Sequence, residues 1–220
     1  MPKQDLKKTY KEYFTAPRET PAIIELPEHR YLMVNGKGHP EGGEFGEAVG
    51  ALFATAFIAK FMAKKARPKN DYVVPPLEVR WYVDRTKHGH ERYSWTMMIM
   101  LPAFVTEKTV RDAVQDAKTR SAKKGKPLAG FVRIRLGTMH EGLCAQILHI
   151  GPYHGPMEAT FTKLKKDITA RGYDHETESH DIYFNFPPRT PPEKLKTLIR
   201  VRLFPPKQTL KRLKRSLKAR

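Results

Sequence analysis

Two short strings carry acids and phenols at alternating positions. In PPLEVRWY, residues 75–82, Glu78, Arg80 and Tyr82 stand two apart; in SHDIYF, residues 179–184, Asp181 and Tyr183 do the same. Side chains two apart on a strand point to one face. Each string would therefore present a carboxylate and a phenol on the same side. Such a pair suits a cation or a polarised heterocycle. The acid supplies charge, and the ring supplies stacking and cation–π attraction of about 0.5–2 kcal/mol per contact. A carboxylate in a partly dry groove can also gain a raised pKa and serve as acid or base. The opposing reading is plainer. An acid on a strand is usually solvated or ion-paired, and Arg80 stands two positions from Glu78.

Other residues carry weaker signals. Tyr93, Trp95, Met97 and Ile99 share a strand face, suited equally to core packing and to lining a groove. Tyr153 follows Gly151-Pro152 at a strand end, where a phenol can lean over a cleft or cap the turn. The nine histidines are scattered without a helical ligand spacing backed by a third ligand, so no metal is expected. Gly36 and Gly38 lack the third glycine of a phosphate loop and read as a turn, and no cofactor is implied. The lone Cys144 excludes an internal disulfide framework and fits a small buried hydrophobe in a reducing cytoplasm.

Several elements must position these residues. Residues 1–21 read as an adaptable lead-in. A strand begins at Ala22, a second apolar run covers 31–34, and a turn follows at 36–40. A helix then runs to Pro68, with Phe45, Val49, Phe53, Phe57 and Phe61 at steps of four as a core-facing ridge. Strand candidates at 72–83 and 93–101, joined by the polar link 84–91, form a plausible hairpin. Thr106 caps a connecting helix over 106–121. Residues 133–136 alternate like a short strand. The second half then gives a strand over 143–150, a turn at 151–156, a helix over 157–171 and strands around Ile182 and Leu198. The halves line up as an internal duplication. The expected fold is α+β: duplicated strand-helix-strand-strand units forming an antiparallel sheet, with helices on one side and a central ligand groove. The repeats would cover about 22–105 and 130–205 of a domain over 22–205, followed by a basic tail over 206–220.

The net charge is +18 over 220 residues, with much of it at the two ends. That charge favours solubility and any polyanion. In the tail, Leu210, Leu213 and Leu217 line one helical face among lysines and arginines. Such a tail can touch nucleic acid or an anionic membrane, though most are simply solvated. The most apolar stretch, 48–59, is too short to span a bilayer and stops at Lys60. The oligomeric state is not legible.

PPLEVRWY (75–82), YSWTMMIMLPAFVT (93–106), EGLCAQILHIGPYHG (141–155) and SHDIYFNFPPRTPPEKLKTLIR (179–200) together resemble the GyrI-like small-molecule-binding family. That family also supplies the effector domain of multidrug-sensing regulators. The resemblance implies a duplicated fold whose groove takes bulky lipophilic, often cationic, drug-like compounds, and a role in xenobiotic resistance. It also implies an alternative: a hydrolase that opens the cyclopropane of DNA-alkylating natural products, with Glu78 and Asp181 as the catalytic acids. Ligand-binding residues would be Glu78, Tyr82, Trp95, Tyr153, Asp181 and Tyr183. A third function is an interaction protein contacting DNA or a topoisomerase through its basic surface. The chain departs from the family pattern at Asp181, where a glutamate is common, and at Arg80, where a glycine is common.

Overall fold

The computed structural model describes residues 3–83 and 93–205. The fold is α+β, and the chain divides into two compact units. The first comprises the chain up to Phe14 with Glu28–His140; the second comprises Thr15–Pro27 with the chain from Glu141 onward. The polar link 84–91 and the basic tail lie outside the described residues.

In the first unit the chain forms α1 (Leu6–Thr9), most of β1 (Ala22–Lys37), α2 (Gly43–Ala66), β2 (Leu77–Val83), β3 (Tyr93–Met100) and α3 (Glu107–Ala122). Thr106 caps α3 as its sequence predicts, its hydroxyl accepting from the Thr109 amide at 3.2 Å. β3 pairs antiparallel with β1 on one side and β2 on the other. Met98 sits across from both Met33 and Glu78, and Trp95 across from both Gly36 and Trp81. Directly opposed side chains share a face. One face therefore carries Val34, Val79, Trp81, Trp95 and Met97, and α2 covers it: Phe45 stacks on Trp81 and meets Trp95 edge-on, each at 5.4 Å. The other face carries Tyr31, Met33, Glu78, Arg80, Tyr82 and Met98. Gly36 is required where it stands, because a Cβ would overlap the Trp95 indole.

The lead-in is not a loose appendage. Leu6, Tyr13 and Phe14 are buried, and Gln4 bridges to Tyr72.

The phenylalanine ridge of α2 departs from the expectation. Its buried residues are Ala48, Ala51, Leu52, Thr55, Ala56, Ala59, Lys60 and Ala63, while Phe57 and Phe61 are 47% and 59% exposed. Steps of four advance about 400° around a helix, about 40° past a full turn, so the ridge winds about 160° from Phe45 to Phe61. It starts on the sheet and ends facing away from the core. Small residues hold the core side instead. The apolar stretch 48–59 lies within α2, which by length and composition alone could cross a membrane. Its buried Lys60 is held by Asp71 at 2.9 Å, and Lys64 reaches the other carboxylate oxygen at 3.0 Å. These lysines hold Asp71 down at a pKa of about 2.

In the second unit lie the larger part of β4 (Arg135–Ile150), α4 (Pro156–Ala170), β5 (Asp174–His175), β6 (Ser179–Tyr183) and β7 (Lys196–Phe204). The two sequence segments at 133–136 and 143–150 thus become one strand. β7 pairs antiparallel with β4, β6 and β5. Its register places Ile147 and Asp181 across from Ile199, and Gln146 and His180 across from Arg200. α4 lies on the first of these faces, where Leu164 and Ile168 pack with Ala145, Ile147, Ile199 and Val201.

Candidate functional site

The first unit builds its site around one carboxylate. Glu78 is 0% exposed, on the β2 face turned away from α2. The Tyr13 phenol donates to it. Tyr13 and Tyr31 hydroxyls lie 2.9 Å apart. A phenol has one proton, so with that of Tyr13 on Glu78, Tyr31 donates to Tyr13. The relay runs Tyr31, Tyr13, Glu78. His29 meets the Tyr13 ring edge-on at 5.1 Å. Tyr82 shares the Glu78 face and is half-buried, with the Arg80 guanidinium 5.6 Å from its ring. Trp95 does not share that face. It is buried beneath Phe45 on the α2 side, because it sits one strand position out of phase with Met98, the residue opposite Glu78.

The second unit gathers three expected residues. Asp181 is buried on the α4 side of its sheet, and the Tyr183 hydroxyl approaches it at 3.4 Å. Tyr153 meets the Tyr183 ring edge-on at 5.6 Å. Burial raises the Tyr153 phenol above its ordinary pKa; the Asp181 charge adds to this and the Thr197 hydroxyl opposes it. His149, on the same face, contacts the α4 Thr160 hydroxyl at 2.9 Å through Nδ1 and the Pro152 carbonyl at 3.1 Å through Nε2.

The opposite face of this sheet holds a cluster that the sequence reading missed. Arg200, fully buried, donates to Glu141 at 2.6 Å through Nη1 and to Gln146 at 3.1 and 2.9 Å through Nε and Nη2. His180 Nδ1 lies 2.8 Å from the other Glu141 oxygen. Burial alone would raise the Glu141 pKa, but the His180 and Arg200 charges and hydrogen bonds outweigh it and hold the carboxyl well below the usual range. A signal was present: Gln146 and Arg200 interrupt the apolar runs 143–148 and 198–201. Their meeting depended on register. Cys144, also buried, has its thiol pushed up to about 12, first by burial and then by Glu141; it is an inert packing residue. Among the described residues no group of acids, histidines or cysteines could hold a metal ion.

These three arrangements sit on a fold that is known elsewhere. An uncharacterised conserved protein from Listeria innocua is 32% identical, with a TM-score of 0.81 over 92% of this chain and all of its own. A structure described as a hydrolase from Listeria innocua is 33% identical, with a TM-score of 0.77 over the same shares. The EcmrR C-terminal domain, at 11% identity and a TM-score of 0.50 over 84% of this chain and 98% of its own, shares the fold alone. No curated protein matches the chain. The sequence of residues 19–203 itself matches the GyrI-like small molecule binding domain, and the protein is a member of that family.

Proposed function

We propose that the protein binds bulky lipophilic, often cationic, small molecules, with Glu78 as the acidic anchor and Tyr82 as its aromatic partner. Asp181, Tyr153 and Tyr183 form the corresponding acid–phenol set of the second unit. The same order of strand, helix, strand and strand in both units supports reading the chain as a duplication. One observation carries the proposal: a fully buried carboxylate held by a tyrosine relay beside methionine and aromatic side chains. Desolvation strengthens the attraction of such a carboxylate for a lipophilic cation, and an aromatic wall adds cation–π contact. Titration with a fluorescent dye cation tests this. Glu78→Gln should weaken binding at least about tenfold, about 1.4 kcal/mol, while deletion of residues 207–220 should leave it unchanged. Equal affinity for wild type and Glu78→Gln would end the proposal.

A second reading is favoured by the likeness to a Listeria structure described as a hydrolase. Glu78 orients water against the strained carbon of a cyclopropane. The water oxygen bonds to that carbon, the ring C–C bond breaks, and its electrons pass to a conjugated carbonyl. The carbonyl oxygen takes a proton from the tyrosine relay, and the proton lost by water restores it. Mass spectrometry of a cyclopropane-containing alkylator should then show addition of one water with wild type and none with Glu78→Gln. Tight binding of an unchanged alkylator would exclude this chemistry and leave the binder.

A further inference from the structure

The outward face of α2 is unusual for a helix in a protein carrying +18 net charge. Phe57 and Phe61 are 47% and 59% exposed on it, and Phe53 stacks on Phe57 at 6.3 Å. Toward the other end of the same stripe lie Gly46 and Gly50, where a Cβ would meet nothing within 4 Å. The charges along the helix are segregated. Glu41, Glu44 and Glu47 lie at its N-terminal end, and Lys64, Lys65 and Arg67 at its C-terminal end. Glu44 and Lys64 also pair within the chain, with Arg133 and Asp71.

We propose that this face is a self-complementary interface on which a second copy of the chain docks, α2 against α2, antiparallel about a two-fold axis between Phe53 and Ala54. In an antiparallel pair, positions equally far on either side of the axis meet. Phe57 then lies across from the partner copy's Gly50 position, and Phe61 across from its Gly46 position, so that bulky rings fill gaps left by absent side chains. An isologous contact requires such self-complementarity. The acidic end of each helix meets the basic end of the other, and the helix dipoles oppose favourably. A parallel pair would instead set ring against ring and like charge against like. The charge pattern thus selects a second copy, in one orientation. The proposal does not depend on the ligand reading, since none of these residues belongs to the candidate site.

Sedimentation of the full chain at rising concentration tests it. Wild type should reach twice the mass of one chain, and Phe57→Glu with Phe61→Glu should return it to one chain with its thermal melt retained. As an independent test, the chain carrying both Gly50→Cys and Phe57→Cys should cross-link between copies on oxidation, whereas Phe57→Cys alone should not. The native Cys144 is buried and does not interfere. A wild type that stays single at every concentration would overturn the proposal, as would a dimer indifferent to both glutamates or cross-linking by Phe57→Cys alone. A single chain that sediments with phosphatidylglycerol vesicles through the same phenylalanines would overturn it in favour of a lipid surface.

Discussion

The two units share an order of elements yet surround the buried carboxylate on the sheet face turned away from the helix differently. In the first, Glu78 lies on the sheet face turned away from its helix and is held by the phenols of Tyr13 and Tyr31. In the second, the face turned away from the helix carries Glu141 with Arg200, His180 and Gln146 around it. A phenol stabilises a carboxylate without cancelling its charge. An arginine cancels it. The first carboxylate accepts from a phenol, and the second lies between a guanidinium and an imidazole. Asp181 follows neither pattern, since it sits on the helix side with phenols of its own. Similar strand order therefore does not make equivalent sites, because one step along a strand exchanges the faces.

Experiments can break this contrast. The largest effect is expected at Arg200. Arg200→Met leaves Glu141 buried without its guanidinium partner and should cost about 3–5 kcal/mol in denaturant unfolding. A loss below about 1 kcal/mol, the range of surface ion pairs, would mean that the cluster is not the compensated pair described.

Tyr13→Phe comes next. It removes a donor from buried Glu78 and should destabilise by about 1–3 kcal/mol. It should also change dye-cation affinity, whereas Arg200→Met should alter stability alone. Equal effects of both variants on affinity would erase the distinction between the units.

The pH dependence sharpens it further. The Glu141 pKa is lowered in the folded state by His180 and Arg200. The unfolded chain then binds more protons than the folded one as pH falls through the ordinary carboxylate range, so stability rises with pH there. The contribution is present above an unfolded value of about 4.3 and is lost progressively below it. Glu141→Gln should flatten the stability profile below about pH 4. An unchanged slope would argue against the depressed carboxyl.

The smallest change is expected for Tyr183→Phe. Its 3.4 Å approach to Asp181 is long for a hydroxyl donor, and its loss should cost about 0.5 kcal/mol. A cost above about 2 kcal/mol would place Tyr183 alongside Tyr13.

Much of the fold was legible. Alternation marked the strands at Glu78 and Asp181, Thr106 marked the start of α3, and Pro68 follows the end of α2 as a breaker should. The ridge at Phe45 to Phe61 was misread because recurrence every four residues is close to the helical period without equalling it. Tyr13 was missed because the aromatic residues of a lysine-rich lead-in carry no periodic signal. Trp95 was grouped with the site because a strand's own alternation fixes which residues share a side, not which side faces the helix.

The sequence by itself determined the α+β class, the order of the principal elements and the family, since local periodicity, caps and turn residues act over a few positions. It also put Glu78 with Tyr82, and Asp181 with Tyr183, on common faces. Tertiary structure decided the rest. It brought Tyr13 and Tyr31 to Glu78 and joined Glu141, Gln146, His180 and Arg200. Those contacts depend on strand register and on burial, which are set by the packing of segments far apart in the chain.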